Sequence, residues 1–100
     1  MRQLEKTFIG KGQVKGFLFT QLKKTEFAYL YEVDNGSNKA FEIFKHRENT
    51  RFGCVTYPSN KAFGIWAKTT RDFQRALDLF DLYNVQPTVN EINLLTFNDF

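Results

Sequence analysis

Residues 44–52 combine basic and aromatic side chains around a predicted turn, and they carry the clearest potential for binding chemistry in the chain. The stretch reads FKHRENTRF. Lys45, Arg47 and Arg51 bracket the turn, so we expect them to cluster at one sheet edge and meet phosphate groups. The alternative is a solvated hairpin tip above core phenylalanines, because charged tips of this kind are common.

Aromatic rings next to these cations would complete a site for nucleic acid. Phe44, Phe52 and Tyr57 lie close in sequence and offer planes on which unpaired bases can stack. Lysines near the N-terminus would extend the basic patch, and the candidates are Lys11, Lys15, Lys23 and Lys24. The sequence contains no RNP1 pattern, helix-turn-helix or basic zipper, so any contact would come from the sheet or its loops.

Residues suited to catalysis are scarce. The chain has one His and one Cys, and His46 with Cys54 is the only conceivable base–nucleophile pair. The alternative is a buried structural cysteine beside a surface histidine. Zinc sites need about four ligands at close spacing, which these two residues do not supply. We therefore expect no catalytic residues, no metal and no cofactor, and we interpret the protein as a non-enzyme.

Two strand carboxylates, Glu32 and Glu42, have similar offsets from the Asn35-Gly36 turn and would face each other across a hairpin. A glycosidase pair requires a cleft and divergent pKa values, and the sequence predicts no cleft. A solvated cross-strand pair is the favoured interpretation.

The elements that position these residues follow from hydrophobic patterning. Short alternating runs separated by turn residues predict an antiparallel meander of five to six strands. Asn35-Gly36 between two such runs is the strongest hairpin signal. The glycines of GKGQVKG, residues 10–16, lack the order of a phosphate-binding loop and predict a turn or bulge. The predicted strands span residues 4–9, 14–22, 27–33, 39–47, 51–57 and 62–67.

One helix follows the predicted sheet. Phe73, Ala76, Leu77 and Phe80 recur at helical spacing, and Thr69-Thr70 suits its N-terminus. The chain is thus predicted to be a single α+β domain. The sheet occupies residues 1–68, the helix 69–85 and a C-terminal arm 86–100, which is either a short helix or extended.

Strands two, three and four carry apolar groups on both faces, whereas one helix covers only one face. The second face therefore needs another cover. The candidates are the C-terminal arm, closure of the sheet, a second copy of the chain, or a partner protein. We favour the arm together with sheet curvature, and the chain is expected to be a monomer or a homodimer.

Charge is distributed unevenly along the chain. Residues 1–71 hold 13 Lys/Arg and 6 Asp/Glu, a net +7, whereas residues 72–100 hold one Arg and five acids, a net −4. Such asymmetry is typical of polyanion-binding surfaces, although attraction between an acidic helix and a basic sheet would also explain it. No apolar leader or membrane-length run is present, and a single Cys fits a reducing compartment. We expect a cytoplasmic protein that does not contact membranes.

The segment RFGCVTYPSNKAFGIWAKTT, followed by an amphipathic helix, resembles small proteins of bacteriophages and mobile elements to which no activity is attached. The resemblance covers about a third of the chain. It implies a setting in which short inhibitors of host or defence proteins are a serious class.

Two functions are therefore predicted. The favoured one is a non-catalytic module that contacts nucleic acid through its basic sheet and hairpin surface. The alternative is a phage or mobile-element protein that binds and inhibits a host or defence protein through its aromatic face or C-terminal arm. The arm residues expected to contact that protein are Leu94, Leu95, Phe97 and Phe100.

Overall fold

The computed structural model describes residues 2–85, which form a five-stranded antiparallel β-sheet with one C-terminal α-helix packed on it. The sheet order is β1-β2-β3-β4-β7, and β5 and β6 form a separate two-stranded ribbon. This arrangement confirms the predicted α+β class. The strands are β1 (Thr7–Ile9), β2 (Leu18–Lys24), β3 (Ala28–Asp34), β4 (Lys39–Lys45), β5 (Glu48–Asn49), β6 (Cys54–Val55) and β7 (Ala67–Thr70), and the helix is α1 (Phe73–Val85).

The β3–β4 hairpin forms the centre of the sheet. Seven residue pairs run from Ala28–Lys45 to Asp34–Lys39. The turn has the predicted Asn-Gly chemistry: Gly36 adopts a positive φ of 95°, and the Asn35 side chain accepts bonds from two following backbone N–H groups. Local sequence therefore sets the register of the central pair, and β2, β7 and α1 contact that pair directly.

Side chains of β3 and β4 alternate between the two faces as predicted, and both faces are buried. Leu30 and Ile43 point to the helix side, whereas Tyr29, Tyr31 and Phe44 point to the opposite side. All five are fully buried. We call these the helix face and the aromatic face.

Helix α1 covers the helix face through Ala76, Leu79, Phe80 and Tyr83. It begins one turn later than Thr69-Thr70 suggested, because these threonines belong to β7. The Asp72 carboxylate instead accepts hydrogen bonds from the backbone N–H groups of Gln74 and Arg75, at 2.9 and 3.3 Å. Asp72 therefore caps the helix N-terminus.

The aromatic face is covered by the β4–β7 connection, residues 46–66, together with the N-terminal segment before β1. Val55, Ala62 and Trp66 of the connection are buried against it. The N-terminal segment is tied to the connection by backbone bonds between Arg2 and Val55 and between Arg2 and Gly53, at 2.8 and 2.7 Å. This cover was not among our candidates, and the C-terminal arm that we favoured lies outside the described residues.

The β4–β7 connection also departs from the two strands predicted within it. Residues 51–57 contribute only the two-residue strand β6, and the predicted strand 62–67 is replaced by a 3₁₀ turn, Asn60–Ala62, and an irregular passage into β7. Tyr57, Phe63 and Trp66 of these runs pack onto the aromatic face, whereas Phe52 and Ile65 are exposed. The aromatic residues therefore indicated strand structure wrongly and burial only in part.

Replacing Trp66 tests whether the connection is an integral cover. Trp66 is 7% exposed, and its neighbour Ile65 is 75% exposed. We expect Trp66→Ala to lower the free energy of unfolding by about 3–5 kcal/mol, whereas Ile65→Ala should change it by less than about 0.5 kcal/mol. Chemical denaturation followed by far-UV circular dichroism measures both. Equal effects of the two substitutions would contradict this packing.

Candidate functional site

A depression of about 530 Å³ lies on the outer side of the β4–β7 connection. It is framed by three cations, Arg47, Arg51 and Lys61, and one carboxylate, Glu48. The β5–β6 ribbon brings Arg47 and Arg51 together, as the sequence predicted, while the turn after Pro58 adds Lys61 from further along the chain. The remaining wall is formed by Asn49, Thr50, Thr56, Ser59, Ala62 and Trp66.

Arg47 is held in place by the buried tryptophan. Its guanidinium carbon lies 5.1 Å from the centroid of the Trp66 ring, within the range of a cation–π contact. Trp66 in turn packs edge-on against Phe44 of the sheet at 6.4 Å. The arginine that leaves β4 is therefore positioned by the core, although its side chain is exposed.

Arg51 and Phe52 form a second cation–aromatic pair at the rim. The Arg51 guanidinium lies 5.4 Å from the Phe52 ring centroid, and Phe52 is 68% exposed. Within residues 2–85, neither Arg47 nor Arg51 forms an ion pair; the acid–base contacts there join Lys39 to Glu32 and His46 to Glu48, and the second is an ion pair only when the imidazole is protonated. Both guanidiniums therefore keep hydrogen-bond donors for an external acceptor.

Glu48, the acid of the depression, is engaged by a histidine. Its carboxylate lies 3.1 Å from Nε2 of His46, whose ring stacks on Tyr29 at 5.8 Å. The ammonium group of Lys24 also lies near the Tyr29 ring, 5.8 Å from its centroid, and donates a hydrogen bond to the Gln3 side chain at 2.9 Å. Lys24 is therefore at the same end of the aromatic face as Arg47.

Other predicted basic residues lie elsewhere. Lys45 is 5% exposed, and its ammonium lies 5.1 Å from the Tyr83 ring on the helix face. Burial lowers the pKa of Lys45. Lys23 also lies on the helix face, 5.8 Å from the Phe80 ring. Lys15 follows the turn at the opposite end of β2. These three lysines are not part of the surface around the depression.

Tyr57, predicted as a stacking platform, lies inside the aromatic cluster. Its ring meets Phe8, Phe19, Tyr31 and Phe44 edge-on, with centroids 5.0–5.7 Å apart. Its hydroxyl donates to the Glu42 carboxylate. Tyr57 therefore packs edge-on against the protein's own rings, and Phe52 is the aromatic candidate left at the surface.

The two strand carboxylates do not face each other. Glu32 lies opposite Phe41 and Glu42 opposite Tyr31, which places them on different faces. Glu32 pairs with Lys39 at 3.5 Å. Burial raises the pKa of Glu42, and the Tyr57 hydroxyl opposes that rise. Burial and the Glu42 charge also raise the pKa of Tyr57, so the phenol remains the donor.

The structure gives His46 and Cys54 separate surroundings. His46 contacts Glu48 and Tyr29, whereas Cys54 pairs through its backbone with Asn49 and Arg2. Across the described part of the chain, no group of three or more His, Cys, Asp or Glu residues could hold a metal ion. No helix within residues 2–85 is long and apolar enough to cross a membrane.

Sequence reasoning missed Lys61 and Trp66 as members of the depression. Nothing local identifies them, because both reach the site only when the connection folds back over the sheet. The single tryptophan beside a basic ribbon was the one available signal. The predicted partner-binding residues Leu94, Leu95, Phe97 and Phe100 lie outside the described residues.

The raised pKa of Glu42 predicts a dependence of stability on pH. Because the folded chain holds this proton more tightly than the unfolded chain, the associated stabilisation is complete below the ordinary pKa of 4.5 and is lost as pH rises through the folded value. The free energy of unfolding of the native chain should therefore fall relative to Glu42→Gln between acidic and neutral pH. Urea titrations of both proteins across this range measure the difference.

A second variant separates the two influences on Glu42. Tyr57→Phe removes the hydrogen bond that opposes the rise in pKa, so it should steepen the fall relative to Glu42→Gln. A difference between native chain and Glu42→Gln that stays constant with pH would show that the carboxyl is not desolvated.

Comparison of the chain with protein-family models, with curated proteins and with solved structures found no match in any of the three.

Proposed function

We propose that this protein is a non-catalytic module that binds single-stranded nucleic acid at the depression framed by Arg47, Arg51 and Lys61. The observation that carries the proposal is the convergence of these three cations around one concavity, with no ion pair to any of them within residues 2–85. Arginine is well suited to phosphate because its planar fork of donors matches two phosphate oxygens.

The preference for a single strand rests on the aromatic residue at the rim. Phe52 is exposed and lies beside the Arg51 guanidinium, so a base could stack on the ring while its phosphate meets the arginine. In a duplex the bases are stacked on one another and their faces are inaccessible. Stacking of this kind tolerates any base, so we expect little sequence preference.

Acidic residues on the helix side of the molecule favour binding of the nucleic acid on the other side. Three exposed acids lie beyond the helix face, the capping residue Asp72 and the α1 residues Asp78 and Asp81. Within residues 2–85 no ion pair joins α1 to the sheet. Within the described residues, ion pairs between the acidic helix and the basic sheet therefore do not explain why the sheet portion is basic. Repulsion by the helix acids would direct a polyanion toward the aromatic-face side.

Neutralising the two arginines tests the site. We expect Arg47→Gln/Arg51→Gln to weaken binding of a labelled single-stranded oligonucleotide by about tenfold or more at low salt. The slope of the logarithm of the association constant against the logarithm of the salt concentration should also become less negative, by about 0.7 for each phosphate that the variant no longer neutralises. Fluorescence anisotropy across a salt series measures both quantities. Lys61→Gln should act in the same direction, with the slope change expected for about one phosphate.

The matched control is Arg75→Gln, which removes an exposed positive charge from α1. It should leave the salt slope unchanged, because it lies beyond the other face of the sheet. If Arg75→Gln weakens binding as much per charge as the other variants, the effect is one of net charge and not of this site. Absence of any anisotropy change for the native chain at low salt would eliminate the proposal.

The stacking role of Phe52 is tested separately. We expect Phe52→Ala to weaken single-strand binding by about 1–3 kcal/mol, with the salt slope unchanged because no charge is removed. Phe52→Tyr should retain most of the affinity. Ile65→Ala, which removes another exposed apolar side chain, is the control; an equal reduction there would argue against stacking.

Binding of a protein partner stays a prediction. The aromatic face on which it partly relied is packed within the molecule, and the arm lies outside the described residues. A single-strand assay with the full chain is therefore the first experiment.

A further inference from the structure

A larger cavity of about 820 Å³ lies on the inner side of the β4–β7 connection, between the connection and the N-terminal segment. Its walls are mainly apolar and include Leu4, Phe8, Val55, Pro58 and Phe63. Small-molecule sites typically have volumes of about 300–1,000 Å³, apolar walls and a few convergent polar groups. This cleft is separate from the depression that carries the basic residues.

One carboxyl group interrupts the apolar wall. Glu42 projects from β4 on the aromatic face and lines the cleft together with Tyr57. Within residues 2–85 its polar partner is the Tyr57 hydroxyl, which occupies one acceptor position. An ionised carboxylate accepts several hydrogen bonds, so most of its capacity is unused by these residues. Burying such a group is costly unless a cation or further donors accompany it.

The fold itself does not require an acid at this position. Neighbouring positions on the same face of β4 hold Ala40 and Phe44, and a glutamine would still accept a hydrogen bond from Tyr57. Glu42 therefore adds a negative charge to a concave apolar surface without a cation beside it among residues 2–85. A positively charged group on a ligand would complement this carboxylate.

We propose that this cleft binds a small molecule that has an apolar body and a primary amine, with the ammonium group donating to the Glu42 carboxylate. The apolar body lies against the N-terminal segment and the connection, while Tyr57 holds the carboxylate in position. A ligand with a carboxylate head is disfavoured by repulsion from Glu42. A ligand with a hydroxyl head gains a hydrogen bond but no charge pairing.

The charges at the rim do not reverse this selectivity. Arg2 and Lys11 oppose Glu5 there, and all three side chains are exposed. Solvent and salt screen such groups more strongly than a half-buried carboxylate. Glu42 therefore dominates the field at the inner end of the cleft.

A pair of matched probes tests the proposal with the native chain. 2-Phenylethylamine and 2-phenylethanol share one apolar body and differ only in the head group. Titration followed by ¹H–¹⁵N correlation spectra gives the affinity of each probe and the location of binding. We expect the amine to bind about tenfold more tightly than the alcohol, with shifts concentrated at Gly10, Val55 and Phe63.

Glu42→Gln should bring the affinities of the two probes to within about twofold, while Glu32→Gln, on the helix face, should leave the tenfold preference intact. Equal affinities in the native chain, no binding of the amine, or shifts outside the cleft would overturn the proposal. A preference for the amine over the alcohol that persists in Glu42→Gln would also overturn the proposal. The probe comparison requires no variant, so it decides the question even if Glu42→Gln does not fold.

This experiment is independent of nucleic-acid binding. Arg47→Gln/Arg51→Gln should leave the amine preference unchanged, because both arginines lie on the outer side of the connection.

Discussion

The structure depends on a sheet that is apolar on both faces and must therefore be covered twice. Tyr29, Tyr31 and Phe44 are as completely buried on one side as Leu30 and Ile43 are on the other. The helix supplies one cover. The other comes from a connection between neighbouring strands that folds over the aromatic face and is anchored there by Val55, Tyr57 and Trp66. Large rings allow this short and irregular segment to bury enough area to act as a layer.

The position of the basic residues follows from that second cover. A connection that returns across a sheet has an inner side that packs and an outer side that faces solvent. Arg47 and Arg51 lie at its beginning and Lys61 near its end, so the return path brings them together. The stacking of Arg47 on Trp66 couples this cluster to the core. The same segment thus covers the sheet and presents cations, whereas the helix on the other face presents acids.

Local patterns in the sequence were enough to predict the hairpin, the alternation of β3 and β4, the helix α1 and the α+β class. They failed where long-range packing decides the outcome. Tyr57 and Phe52 are both aromatic residues near the same turn, yet one lies among four rings and the other is exposed. Lys45 and Arg47 are two residues apart, and alternation along β4 places Lys45 on the helix face near Tyr83. Composition identified the basic segment, but only the fold separates its surface residues from its buried ones.

The inner and outer sides of the β4–β7 connection are complementary to different kinds of ligand. Outside, cations are arranged around a shallow concavity, which suits a charged and extended polymer. Inside, one carboxylate faces an apolar cleft, where its charge is a cost to the folded chain that the surrounding residues offset only through the Tyr57 hydroxyl. Departures from local consistency of this kind are expected at functional sites. Packing on this face does not itself call for an acid, because the neighbouring β4 positions on the same face hold Ala40 and Phe44. An ammonium group on a ligand, as we propose, would offset that cost by charge pairing with Glu42.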